Sequence, residues 1–231
     1  AQVGTANVGW VQGGAPGGGV YGLGEPRTIT RNHAAEAGRL RDKVDAGELP
    51  APDFVVFPEN TTDMDPYRDA QTGTLIRSTA ARLGVPILFG AILDGPGPDE
   101  RQTASLWWDP EQGELARYVK RGIVPFGEFV PYRSLLLPLV PELAYVGAQS
   151  VPGMVPGALP VTLPDGRGTT LGIMVCYDLV YDDFAYDTVR YGGQLILVQS
   201  SNAMYQGTGQ IEQQFAITRL RAMELRREML V

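Results

Sequence analysis

Thr169-Thr170-Leu171-Gly172-Ile173-Met174-Val175-Cys176-Tyr177-Asp178-Leu179 decides the fold. Leu171, Ile173, Met174 and Val175 form a short apolar run rich in strand formers, which predicts a buried β-strand. Cys176, the only cysteine of 231 residues, stands where that run stops. Leu179 to Tyr191 mixes apolar, aromatic and acidic residues and can open a helix. A strand that ends in a cysteine and turns into a helix holds the thiol at a corner. There the next backbone N–H groups point forward and favour anions. That geometry suits a thiolate nucleophile and an oxyanion hole. Taken alone, a free cysteine is more often a packing residue, so the rest of the chain has to decide.

The bulk properties narrow the classes. A chain of 231 residues holds one large domain or two small ones. With 29 glycines and 18 prolines, many ordered loops are expected. A net charge of −7 argues against nucleic acid as a main partner, because a phosphate-tracking surface needs clustered Lys and Arg. One cysteine excludes an internal disulfide without fixing the compartment. No apolar run approaches the roughly 18 residues of a membrane span. Ala1 to Trp10 lacks the basic start and apolar middle of a signal peptide.

Outward from the deciding stretch, strands and helices alternate. Val3 to Gln12 reads as an opening strand, and 13–24 as a glycine-rich loop without a phosphate-binding pattern. Thr28 to Ala46 reads as a helix with Ala35, Leu40 and Val44 inward. Phe54-Val55-Val56-Phe57 is a fully apolar strand closed by Pro58 and Glu59. Thr72 to Leu83 is a helix and Pro86 to Leu93 the next strand. Thr103 to Trp108 and Leu115 to Val119 form a strand pair. Residues 122–168 are read mostly as loop, and Leu195 to Gln199 as another apolar strand. Gln210 to Met229 is read as one amphipathic helix burying Phe215, Ile217, Leu220 and Met223. Strands apolar on both faces, alternating with helices, predict a sheet covered by helices in an α/β domain. No internal repeat or domain boundary is visible, so residues 1–231 are read as a single domain.

Three polar residues follow strand ends, where ligand sites of α/β sheets gather: Glu59, Lys120 and Cys176. A fourth, Glu128, lies in Pro125-Phe126-Gly127-Glu128-Phe129-Val130-Pro131. Singly, each has an ordinary structural explanation, such as a surface carboxylate or a lysine that guards an edge strand. The one histidine, His33, falls in a charged helix and is expected at the surface. A Cys-His or Ser-His-Asp site is therefore disfavoured, and so is a zinc site. A cysteine nucleophile here needs another base, and a carboxylate can serve. A nearby ammonium would stabilise both a thiolate and an oxyanion.

Glu59, Lys120 and Cys176, in that order, resemble the Glu-Lys-Cys triad of the nitrilase, or carbon–nitrogen hydrolase, superfamily. Lys120-Arg121-Gly122-Ile123-Val124-Pro125-Phe126-Gly127-Glu128-Phe129-Val130-Pro131-Tyr132-Arg133 is similar to a segment of the apolipoprotein N-acyltransferases. So are Phe57-Pro58-Glu59-Asn60, Val175-Cys176-Tyr177-Asp178, Ser201-Asn202-Ala203-Met204-Tyr205 and Arg219-Leu220-Arg221-Ala222-Met223-Glu224. Two departures stand out. Asp178 takes the place of the family's usual Glu, and Ala203-Met204-Tyr205 replaces Asp-Ala-Trp.

The resemblance implies a four-layer αββα sandwich and a two-step acyl transfer that needs no cofactor and no metal. Glu59 would take the proton of Cys176, and Lys120 with the Tyr177 backbone N–H would hold the oxyanion. Glu128 would orient Lys120 or the base. Asp178, Asn202, Leu136 and Leu137 are the expected substrate-binding residues. The implied partners are a phospholipid acyl donor, a diacylglyceryl apolipoprotein acceptor and the membrane surface, on the outer side of the bacterial cytoplasmic membrane. The chain would then be the excised catalytic domain of a longer membrane protein, ending before the fold does. Two other readings stand beside this one: a soluble amidase of the same superfamily, and a catalytically inactive interaction module. Leu135-Leu136-Leu137-Pro138-Leu139-Val140-Pro141 separates the first two, because an exposed apolar arm fits a lipid surface.

Overall fold

The computed structural model describes residues 4–16 and 24–231, with the backbone but not the side chain of Met204. Val3 and most of the glycine-rich stretch lie outside the described residues. The described part opens with β1 (Val8–Trp10), α1 (Thr28–Asp45), β2 (Phe54–Val56), α2 (Ala70–Leu83), β3 (Ile87–Asp94), β4 (Glu100–Asp109) and β5 (Gly113–Val119). It continues with α3 (Arg133–Leu136), β6 (Gln149–Ser150), β7 (Ala158–Thr162), β8 (Gly168–Val175), α4 (Asp182–Arg190), β9 (Leu195–Gln199), α5 (Gln210–Leu225) and β10 (Glu228–Leu230).

The apolar strands explain the layering. Successive strand side chains point to opposite faces, so a strand apolar at every position feeds two cores. Phe54 and Val56 enter one core, Val55 and Phe57 another. Leu88 joins the first of these and Ile87 and Phe89 the second. In β8, Leu171, Ile173 and Val175 share the core of Phe54, while Met174 enters a third with Ile196 and Val198. The three cores lie between four layers. α1 and α2 cover one sheet, the two sheets face each other, and α4 and α5 cover the other. This is the αββα sandwich.

The first sheet runs β1-β2-β3-β4-β5, with β6 beside β4. β1, β2 and β3 are parallel, whereas β3-β4 and β4-β5 are antiparallel. The second runs β10-β9-β8-β7, parallel except for β7. The parallel pairs put the carboxyl ends of β8 and β9 together, with Val175 opposite Gln199.

Several expectations need correction. In α1 the inner positions are Ile29, Thr30, His33, Ala37 and Gly38, while Ala35 is exposed. His33 is therefore buried rather than on the surface; its Nδ1 lies 2.8 Å from the Ile29 carbonyl, and burial lowers its pKa. Residues 122–168 are mostly loop, as expected, but β6 and β7 also lie there, and β7 accepts Pro160 because it is an edge strand. The last helix ends at Leu225, and the residues read as its final turn form β10. Of the four residues expected inside, Ile217 alone packs against a core. Gln214, Thr218, Arg221 and Leu225 face inward, while Phe215, Leu220 and Met223 are 55, 60 and 69 % exposed.

Candidate active site

Glu59, Lys120 and Cys176 each follow a strand: β2, β5 and β8. β2 and β5 belong to one sheet and β8 to the other, so the site forms where the two sheets meet. Glu59 sits on a tight turn that passes over β3. A Cβ at Gly90 would meet the Pro58 carbonyl and the Glu59 Cα at 2.6 and 2.7 Å, so only glycine lets that turn approach. Asn60 then takes a left-handed φ of 54°, which asparagine tolerates.

Lys120 is buried, and its Nζ lies 2.8 Å from Glu128 Oε1 and 3.4 Å from Glu59 Oε1. Each carboxylate uses its second oxygen on the backbone. Glu59 Oε2 accepts from the Ser201 N–H and Glu128 Oε2 from the Val124 N–H, both at 2.8 Å. Every charged group thus has two partners, which a buried ion cluster needs to offset its desolvation. Burial alone would weaken the Lys120 ammonium, but Glu59, Glu128 and Cys176 outweigh it and hold its pKa above the ordinary value. Burial raises the Glu59 pKa, with the Glu128 charge in the same direction and Lys120 opposing.

Cys176 is a corner residue with a left-handed φ of 49°, uncommon for a side chain with a Cβ and a mark of stored backbone strain. A single turn of 3₁₀ helix, Cys176–Val180, replaces the expected direct entry into the helix, and α4 follows it. Burial, together with the Glu59 charge, pushes the Cys176 thiol up to about 12, against the pull of Lys120. That favours a resting thiol over the thiolate that the corner alone predicts, so a nucleophilic role would require a base.

Asp178 has a different place from the one expected. It is fully buried, and its carboxylate accepts from Tyr118 Oη at 2.9 Å, Val175 N–H at 3.0 Å and Gly122 N–H at 2.6 Å. Those three donors surround it and tie the turn after Lys120 to the corner at Cys176. Asn202 likewise spends its amide N–H on Gln214, and Gln214 reaches on to Ser200. Tyr177 is half-buried and packs edge-on against Tyr181. Leu136 and Leu137 are half-buried in and just after α3.

Three supporting residues escaped the sequence reading. Gln199, at the end of β9, donates to the Phe57 carbonyl and accepts from Ser105, so it bridges the two sheets directly beneath Glu59. Arg221 of α5 donates to the Leu179 and Val180 carbonyls at 3.0 and 3.1 Å and pairs with Asp182. Tyr205, noted before only as a departure, feels the charges of Cys176 and Glu128 and so faces the site. Among the described residues, no group of three or more His, Cys, Asp or Glu side chains could hold a metal ion.

Residues 44–227 match the family described as carbon-nitrogen hydrolase. An apolipoprotein N-acyltransferase of Mycolicibacterium smegmatis is 33% identical over 218 residues, covering 93% of this chain and 36% of the relative. One from Synechocystis is 31% identical over 140 residues, covering 61% of this chain and 25% of the relative. The chain therefore spans about a third or less of these relatives. The NitN amidase from Neterenkonia sp. AN1 superposes with a TM-score of 0.64 at 17% identity, covering 97% of this chain and 76% of that one. At that identity the likeness carries the fold alone.

Proposed function

The chain belongs to the carbon–nitrogen hydrolase family, and from that premise we propose that it is the acyl-transfer unit of lipoprotein maturation. It would move a fatty acyl chain from a phospholipid, through a Cys176 thioester, to the α-amine of an N-terminal diacylglyceryl-cysteine. The observation that carries this reading is the apolar arm that follows the site. Seven residues after Glu128, and onward, Leu135, Leu139 and Val140 are exposed, a costly arrangement unless the arm meets an apolar phase. The relatives named apolipoprotein N-acyltransferase support the same reading.

In the first step Glu59 accepts the thiol proton as the sulfur attacks the ester carbonyl. The carbonyl oxygen becomes an oxyanion, held by the Lys120 ammonium and the Tyr177 backbone N–H. Collapse expels the lysophospholipid alkoxide, which takes the proton from Glu59, and the acyl chain stays on sulfur. In the second step the neutral α-amine attacks the thioester and gives its proton to Glu59. The thiolate leaves and is reprotonated, and an amide is formed. Glu128 fixes Lys120 through the 2.8 Å contact, so the ammonium is in place before charge develops. Such a site would work on the outer side of the bacterial cytoplasmic membrane, where both lipid substrates lie.

The test supplies phospholipid in mixed micelles and follows the mass of Cys176. An acyl adduct that transfers to a diacylglyceryl-cysteine peptide with a free α-amine supports the proposal. No adduct, together with turnover of small aliphatic amides, makes the chain an amidase instead. No reaction with either leaves an interaction module.

A further inference from the structure

We propose that the cleft beside Arg133 binds an anionic phosphate group, and that it seats the headgroup phosphodiester of a glycerophospholipid. Arg133 opens α3, directly after Tyr132, whose φ of 49° is left-handed. Its Nη1 is buried without a hydrogen-bond partner, and the side chain makes no ion pair among the described residues. Other arginines withdrawn from solvent have partners: Arg27 pairs with Asp69, Arg121 with Asp187 and Arg221 with Asp182 and Glu224, while Arg101 and Arg227 donate to the Ser150 hydroxyl and the Gly193 carbonyl. A chain with a net charge of −7 does not lack carboxylates, yet none reaches this guanidinium. A cationic N–H group withdrawn from water without an acceptor is a standing cost.

The surroundings fit an anion with apolar attachments. Arg133, Ser134, Leu137 and Pro138 line an open cleft of about 760 Å³. That volume falls within the range of small-molecule sites, roughly 300–1,000 Å³. A turn of the Arg133 side chain toward the cleft would bring its guanidinium and the Ser134 hydroxyl to two phosphate oxygens, since arginine matches phosphate geometry with paired donors. Leu137 and Pro138 form the apolar side, and exposed Leu135 and Leu139 extend it outward. Free phosphate would use only the polar half, and a phosphodiester carrying acyl chains uses both. The choice of a lipid rests on the acyl-transfer reading, but the anion site does not.

Binding of monomeric dihexanoyl-phosphatidylglycerol to the 231-residue chain, followed by calorimetry, is the test. Dihexanoylglycerol, which lacks phosphate, and inorganic phosphate are the comparison probes. Arg133→Gln is expected to weaken the short-chain phospholipid about tenfold or more, with Arg133→Lys intermediate and dihexanoylglycerol unaffected. The melting temperature of Arg133→Gln should be unchanged or higher, because the variant removes a buried cation that has no partner. A structural arginine would do the opposite, so a lower melting temperature in both variants overturns the proposal. Equal phospholipid affinity in wild type and Arg133→Gln overturns it as well. Arg133-dependent binding of inorganic phosphate without the lipid keeps the anion site and overturns the lipid as its source. None of these readouts requires Cys176 to react, so acyl transfer can succeed or fail independently.

Discussion

At Cys176 the resting thiol, with a pKa pushed up to about 12, makes the base indispensable. Glu59→Gln keeps the shape and removes the proton acceptor. Cys176 acylation, followed by mass spectrometry, should then slow by about 10²- to 10⁴-fold. Cys176→Ala should fold and be inactive; an active alanine variant would sink the covalent mechanism. Lys120→Ala should lose roughly 3 kcal/mol or more of transition-state stabilisation, read as a fall in kcat at little change in KM. The pH profile follows from the same groups. The proposed reaction needs Glu59 ionised, and burial raises its pKa from the ordinary 4.5, so the acid limb of kcat/KM should lie above that value. The same shift acts on stability. Glu59's contribution is complete below about 4.5 and is lost as the pH rises through its raised folded value, so the glutamine variant should lack that slope in urea titrations. Glu59, Lys120 and Cys176 were legible as a candidate cluster because each follows a strand, at the end where an α/β fold gathers ligands. Asp178 and Gln199 were not, because their partners are backbone groups and side chains of other strands. Only the three-dimensional crossing of the two sheets brings those partners near.

Among the elements, α5 shows where a pattern misleads. Its apolar residues Phe215, Leu220 and Met223 face outward, because the inner face is occupied by polar side chains that hold loops. Gln214 holds Asn202 and Ser200, and Arg221 holds the carbonyls that follow the nucleophile turn. Tertiary demand there overrides amphipathic periodicity. Phe215→Ser and Met223→Ser should accordingly change stability by no more than about 0.5 kcal/mol in urea unfolding. Arg221→Ala should cost about 2 kcal/mol, since it leaves the Leu179 and Val180 carbonyls without their donor. A larger loss at Phe215 than at Arg221 would show that the outer face is the packed one. The strands were easier to read. A run apolar at every position implies two covered faces, and Phe54 to Phe57 divides between two cores as that rule requires. β7 and β10 escaped because Pro160 and the brevity of Glu228–Leu230 weaken the strand signal.

On the scale of the whole molecule, an acidic chain with no helix among its described residues long and apolar enough to cross a membrane is proposed to work at one. Its net charge of −7 opposes approach to anionic lipid, so the attraction has to be local, chiefly apolar contact around the single Arg133 cation. The arm after Glu128 offers the surface: Leu135 is 65 % exposed and Leu139 72 %, with Tyr132, Val140 and Tyr145 exposed around them. Full burial of one leucine side chain contributes at most about 1.5–3 kcal/mol, so two leucines can shift partitioning by tenfold or more. Leu136 and Leu137 are half-buried, and changing them would mix folding with binding. The cleaner variant is therefore Leu135→Ser with Leu139→Ser. In flotation with phosphatidylglycerol vesicles it should lose at least about tenfold in partitioning, with its melting temperature within the error of the parent. Added salt should strengthen the parent's binding, because screening relieves charge repulsion and leaves apolar contact intact. Salt that instead releases the parent from vesicles would mean that ionic contacts, Arg133 among them, outweigh the apolar arm. Unchanged flotation of the double variant would leave the arm without a lipid role, and the small-amide reading would then account better for the same triad.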